Sequence, residues 1–418
     1  MFYRVLLYLK QPSNRLWIST ILSVFWAILF AFVAKLSNLF FPPEIFPKIE
    51  LSTLESLLNV IASTMFAVST FSLSIMVSAF SSAANGATPR ATNLVIDDKT
   101  SRRAVSSFIS AFIYSIIAKT ALGMEFFGQN GRFVLFITTL AVLSYVIFTL
   151  IKWIYVLSHL GRLGNTIDKI YDSSEKSLQN YRADPSLGAT WKGTLGLQAE
   201  SIYAQDTGYL THIDFAQLQK IAQQLSTYIH IAIRPGELIM PDTLLAKIDC
   251  VSDKANTIRE CFILDKDRGF DQDPLWGIIV LSEVAQRALP PSANDPGTTI
   301  KVMMHMMKLL VTPYTNNHPQ RKHYDRLSIV DLNIGKIISH SFSPIARDGG
   351  AIMEVGITLQ KVLASIWRNA PEIELREAAI IAAENYLKRA ETYLTFKEDY
   401  DLLRQKHLTL FNKTKYFN

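Results

Sequence analysis

The sequence predicts a four-helix transmembrane domain joined to a cytoplasmic α/β domain with long C-terminal helices. Three observations point there. Long uncharged apolar runs crowd the first 160 residues. After them, short alternating stretches give way to helix-period patterns. Charge divides at the same place: residues 1–162 carry 13 Lys/Arg against 6 Asp/Glu, a net of +7, whereas the remainder carries 29 against 30. The basic excess therefore belongs to the membrane half, where it sets orientation. The other half lacks the surplus needed to grip phosphates, which argues against nucleic acid as a partner. The expected organisation is a transmembrane domain over 1–160, a linker helix over 161–190 and an α/β domain over 191–418.

The first span is expected over about Leu16 to Leu36. Arg4, Lys10 and Arg15 precede it, as in a signal peptide. The uncharged run Leu16–Ala34 is too long for a signal core, however, and no small-x-small cleavage site follows. Pro42, Pro43 and Pro47 suit a short, stiff outer loop.

The second span, about Leu54 to Ala83, is the most informative. Leu57–Ala84 holds 28 residues without a formal charge, yet nine are Ser or Thr. Ser56, Asn59, Ser63, Thr70, Ser74, Ser78 and Ser81 step by three, four or seven. At ~100° per residue they share one sector about 100° wide. A polar face this long fits a wetted pathway. Packing against neighbouring helices is the alternative, because Ser and Thr also join membrane helices. At 1.5 Å per residue the run is roughly 42 Å long, more than the hydrocarbon core requires.

The third span, about Ala104 to Phe127, is interrupted by Lys119 and ends near Glu125. Lys119 snorkels or pairs with Glu125 in the simpler account; as an intramembrane charge it is also a functional candidate. The fourth span runs from about Phe133 to Leu157. Basic residues gather before the first span, after the second (Arg90, Lys99, Arg102, Arg103) and after the fourth (Arg162, Lys169), so both termini are expected in the cytoplasm. Arg90, Arg102 and Arg103 act as orientation signals or, alternatively, ring an anion-attracting vestibule with Lys119. Trp17 and Trp153 fit interfacial anchors.

Gly161 to about Tyr181 reads as an amphipathic linker helix. Strand patterns are expected over Thr194–Tyr203, Gly208–Ile213, Tyr228–Ile233 and Leu238–Ile248. A helix capped by Asp214 covers Phe215–Leu225, and Arg234-Pro235-Gly236-Glu237 forms a turn. Helices follow over Ala255–Leu264, Pro274–Leu289 and Thr298–Leu310. Ile329–Phe342 holds strand candidates. Met353–Trp367 is helical, and Glu372 to about Phe411 is one long helix or a helical pair. Asp273-Pro274 and Asn294-Asp295-Pro296 bracket one helix. Asp before Pro is an N-cap pattern, and the functional alternative is a ligand contact at these loops.

No Walker, GxGxxG, HExxH or GxSxG motif occurs. His305, His318 and His323 lack metal-ligand spacing. Cys250 and Cys261 are too few for a zinc site or a disulfide framework. No cofactor, metal or catalytic constellation is expected, and the chain does not read as an enzyme.

Two blocks carry a family resemblance. The first is Thr88-Pro89-Arg90 with Phe108 to Tyr114. The second is Asp273-Pro274, Trp276-Gly277-Ile278, Arg287-Ala288-Leu289, Pro291 and Asn294-Asp295-Pro296. Together with Gly208-Tyr209-Leu210 and Arg234-Pro235-Gly236, they resemble the bacterial predicted membrane proteins called the domain of unknown function 2254 family. The resemblance implies four N-terminal spans and a cytoplasmic domain, and no activity.

Taken with the polar stripe, the sequence points to an oligomeric channel or channel-like protein of the cell inner membrane. Asn59, Ser63, Thr70, Ser74, Ser78 and Ser81 would line the path, and the cytoplasmic domain would assemble or gate it. The expected partners are membrane lipid and further copies of the chain, with ions or a small cytoplasmic ligand. The alternative is a membrane-anchored sensor or scaffold whose cytoplasmic domain binds a small ligand or protein.

Overall fold

A computed structural model describes residues 12–40, 42, 46–96, 99–196, 199–250, 253–314 and 323–412. Side chains at 12–20, 37–40, 92–93, 95–96 and 99 are not described. The expectations for Arg4, Lys10, Pro43 and His318, and for the side chains of Arg15, Trp17 and Lys99, lie outside the described residues.

The chain divides into two compact units, Met1–Thr166 and Ile167–Asn418. Among the described residues the first has only helices: α1 (Pro12–Phe40), α2 (Leu51–Gly86), a short α3 (Pro89–Ile96), α4 (Lys99–Gly123) and α5 (Gln129–Leu157). Leu51–Gly86, Thr100–Gly123 and Gln129–Leu157 are long and apolar enough to cross a membrane. The described apolar stretch of α1, Ile21–Leu36, is shorter than that. The 36 residues of α2 make a helix about 54 Å long, well beyond a ~30 Å hydrocarbon core.

Two apolar clusters hold this unit together. Leu54, Leu58, Tyr114, Leu122 and Leu135 form one, and Ile61, Met65, Phe108, Val146 and Trp153 form the other. Buried hydroxyls tie the helices laterally. Tyr114 Oη lies 3.0 Å from Thr138 Oγ1 and 3.1 Å from Thr139 Oγ1. Trp153 Nε1 donates to Ser72 Oγ at 2.8 Å. Trp153 is thus buried inside the unit and is not an interfacial anchor. A Cβ at Gly131 would come 2.9 Å from the Ala34 carbonyl oxygen, so α1 and α5 approach closely there.

The second unit begins within α6 (Leu163–Ala183) and continues as a mixed α/β fold. Its strands are β1 (Glu200–Tyr203), β2 (Gly208–Ile213), β3 (Ile229–Ile231), β4 (Leu238–Ile239), β5 (Leu244–Ile248), β6 (Phe262–Asp265) and β7 (Leu327–Ile329). They form a four-stranded sheet ordered β1-β5-β3-β7 and a three-stranded sheet ordered β4-β2-β6. All pairings are antiparallel except β3 with β7. One core under both sheets includes Ile202, Leu210, Leu218, Ile231, Ile248 and Phe262. The helix α7 (Phe215–Gln224) packs into that core and is capped by Asp214, whose side chain accepts from the Gln217 N–H.

A helical layer completes the unit. It comprises the short α8 (Ala255–Arg259), α9 (Trp276–Ala288), α10 (Pro296–Val311), α11 (Lys336–Asp348), α12 (Met353–Asn369), α13 (Ile373–Tyr393) and α14 (Lys397–Leu410).

Three expectations change. Ala255–Leu264 is not one helix, because it turns after Arg259 and Phe262–Asp265 pairs with β2. Leu238–Ile248 breaks into two strands at Pro241-Asp242, where Asp242 adopts φ 70°. Ile329–Phe342 leaves its strand at once and is helical from Lys336.

Candidate functional site

The polar stripe of α2 sits on the side of the helix opposite its packing face. Leu54, Leu58, Ile61, Met65, Ser69, Ser72, Met76, Ala79 and Ala83 are buried against the unit's other helices. Ser56, Asn59, Ser63, Thr70, Ser74, Ser78 and Ser81 are all exposed. On a wheel of ~100° per residue the centres of the two sets lie about 160° apart. Within its own unit, then, the stripe contacts no neighbouring helix along most of its length. The packing role belongs to a different pair of hydroxyls, Ser69 and Ser72, which are buried and stand outside the stripe's sector. Their step out of the sector was the available signal.

The stripe has two chemically distinct parts. Near the N-terminal end, Lys119 Nζ on α4 donates to Asn59 Oδ1 at 2.6 Å. Lys119 thus pairs with Asn59 and not with Glu125. Ser63 and Thr70 turn their hydroxyls back to their own helix, at 2.9 Å to the Asn59 carbonyl and 2.9 Å to the Ala67 carbonyl. Such bonds satisfy a hydroxyl locally and leave it compatible with an apolar setting. Ser74, Ser78 and Ser81 make no hydrogen bond among the described residues. A hydroxyl without a partner in hydrocarbon is costly, so this half of the stripe favours water or another polar surface.

The basic residues beyond α2 divide in the same way. Arg90 and Arg103 are exposed, whereas Arg102 is only 6% exposed and packs inside the unit. Arg102 therefore does not line a vestibule. Its neighbours on α4 (Ala104, Val105 and Phe108) are core residues too.

In the second unit, Asp273 and the Asn294-Asp295 loop stand at opposite ends of α9, some 20 Å apart at 1.5 Å per residue over 13 residues. They do not form one site. Asp295 caps α10: Oδ1 accepts from the Thr298 N–H at 3.0 Å and Oδ2 from its hydroxyl at 2.6 Å. Those bonds hold its carboxyl below the ordinary value. Asn294 is exposed in the left-handed region (φ 45°), which Asn tolerates.

Asp273 caps as its position before Pro274 predicts, Oδ1 accepting from the Leu275 N–H at 3.0 Å, and it does more besides. The helix starts at Trp276, and Asp273 is buried (2% exposed) beside Arg268. Arg268 donates to Asp273 Oδ2 from Nε at 2.9 Å and from Nη2 at 2.5 Å, and its guanidinium lies over the Trp276 ring. Burial pushes the Asp273 carboxyl up, and Arg268 opposes that shift. The Gly236 turn (φ 99°) lies against this carboxylate, leaving no room for a Cβ. This is a closed structural junction and not an open ligand site.

Among the described residues no group of three His, Cys, Asp or Glu side chains is placed to hold a metal. The family model described as predicted membrane protein (DUF2254) matches residues 13–365. No curated protein and no solved structure matches the chain.

Proposed function

The chain belongs to the DUF2254 family of predicted membrane proteins, and from that premise we propose that it works as an oligomeric channel or channel-like protein. The observation that carries this reading is the outward direction of the α2 stripe, with Ser74, Ser78 and Ser81 lacking partners among the described residues. Copies arranged about an axis bring these faces together and enclose a polar path, since a single protomer with so few spans has little room for one. In this reading α1 is a fourth span and both termini lie in the cytoplasm, with the chain in the inner membrane. Arg90 flanks the inner mouth, and the second unit assembles or gates the pathway. The chain then moves solutes and does not catalyse a reaction.

The test is planar-bilayer recording of the purified full-length protein. The expected result is unitary currents that fall sharply in Ser74→Leu and Ser78→Leu, because a leucine side chain narrows and dewets the path. Currents absent across voltages, or unchanged in both variants, overturn it. The second reading, a membrane-anchored sensor or scaffold, draws on the second unit having a separate core. A thermal shift of the full-length protein on adding a small ligand, without conductance, favours it.

A further inference from the structure

The first unit carries a second feature, away from the stripe. Helices α1, α4 and α5 enclose a groove of about 370 Å³, walled by Trp26, Phe30, Ala111, Tyr114, Ala141 and Tyr145. Its hydroxyls are already spoken for. Ser107 Oγ donates to the Arg103 carbonyl at 2.8 Å and lies 3.0 Å from Tyr145 Oη. Ser110 Oγ donates to the Ser106 carbonyl at 2.7 Å. Tyr114 Oη is held by Thr138 and Thr139. These walls offer hydrocarbon and aromatic faces, so the occupant they suit is an apolar chain.

One end of the groove is different. On α4, Arg103 lies one turn beyond Ser107, about 6 Å along the axis. On the antiparallel α5, Lys152 lies two turns beyond Tyr145, about 10 Å in the same direction. Spacings of four and seven keep each cation on the groove's face of its helix. Both are exposed, and neither has an acidic partner among the described residues. An apolar slot between helices of the membrane unit, with two cations past one end, matches an amphiphile with an anionic head.

We propose that this groove is a binding site for an anionic phospholipid of the surrounding membrane. One acyl chain lies along Trp26, Phe30 and Ala141, and the phosphate is held by Arg103 and Lys152. The stripe lies on another helix, so the site stands whether or not a pathway exists. The test is native mass spectrometry of full-length protein extracted from vesicles of equal phosphatidylglycerol and phosphatidylcholine with identical acyl chains. A cation near an anionic lipid surface contributes ~1 kcal/mol, so retained phosphatidylglycerol should exceed phosphatidylcholine at least about fivefold. The double variant Arg103→Gln with Lys152→Gln should bring the ratio close to one while lipid is still retained. Ala141→Phe, which fills the groove from an exposed position, should lower retention of both lipids. Equal retention by the unaltered protein, an unchanged ratio in the double variant, or undiminished retention in Ala141→Phe overturns the proposal. Because the Gln variants alter only exposed side chains, a folded sample remains for the decisive comparison.

Discussion

Arg182, on α6, shows how much of the second unit depends on single side chains. Its guanidinium makes a two-pronged contact with Glu372, at 2.7 Å from Nε and 2.9 Å from Nη2. The same group donates to the carbonyls of Leu309, Leu310 and Thr312 at the C-terminal end of α10, where carbonyls lack helical partners. The side chain is 4% exposed and that of Glu372 18%. Removing one member of a buried pair leaves the other charge without its partner, at a cost of about 3–5 kcal/mol. Arg182→Ala is therefore expected to lower the unfolding midpoint strongly, and combining it with Glu372→Leu should recover part of the loss. Thermal unfolding of the two variants, followed by circular dichroism, decides this; a loss under about 1 kcal/mol would place the pair among ordinary surface bridges.

The elements differ in how openly the sequence declares them. Gly208–Ile213, Asp214 and Phe215–Gln224 were legible because alternation, cap and helix period are all local signals. Phe262–Asp265 was not, since a short apolar run after a helical turn has no period of its own. It becomes a strand by pairing with β2, some fifty residues earlier in the chain. The stripe on α2 was legible as a pattern, but what it faces depends on which opposite residues find α4 and α5. Lys119 found Asn59 across sixty residues, and no local spacing announces that bond. Gly277 was legible only as a motif letter. In the structure a Cβ there would overlap Ser174 Oγ and come 3.1 Å from Ser174 Cα, so α6 and α9 touch backbone to backbone. Gly277→Ala should destabilise the unit by about 1–3 kcal/mol through overpacking. The partner change Ser174→Gly should restore much of that by opening the space. Unfolding midpoints of the single and double variants test this, and an undisturbed single variant would show that the two helices part freely.

Helix α14 joins the rest of the second unit in part through a buried polar chain. His407 Nδ1 lies 2.9 Å from Gln360 Oε1 on α12, and Gln360 Nε2 donates to the Ala383 carbonyl on α13 at 3.0 Å. Burial lowers the His407 pKa, with Glu384 opposing. His230 on β3 is lowered too, by burial and then by Lys247. A depressed histidine pKa means that the unfolded chain takes up protons more readily than the folded one below the ordinary value near ~6.5. The stability contributed by the neutral rings is thus intact above that value and is lost as pH falls below it. The melting temperature of the full-length protein should drop between pH 7.5 and 5.5. His407→Gln should flatten part of that slope, His230 supplying the remainder. A slope identical to that of the unaltered protein would mean that the ring is not protonated in this window.

At the scale of the whole molecule, two kinds of surface on the first unit have to be explained together. Large apolar side chains such as Phe71, Leu73, Ile147, Phe148 and Ile151 are exposed, as lipid-facing positions of spanning helices should be. The α2 stripe is exposed as well, and in an isolated protomer whatever part of it lies at membrane depth would face the same hydrocarbon. The two surfaces are compatible if the stripe meets its own counterpart, because a rotational axis places identical residues near one another. Substituting both native cysteines by Ser and introducing Ser78→Cys gives a direct test in native membranes. Mild oxidation should yield a disulfide-linked dimer for Cys at 78 and far less for Ile147→Cys, whose position on α5 faces lipid. If the two variants cross-link equally, collision in the bilayer explains the product and the stripe has no partner copy. If Ser78→Cys alone cross-links, the hydroxyl face is an interface or a shared path. Repeating the reaction with water-soluble and membrane-confined oxidants then separates those two: only a wetted face reacts with the former.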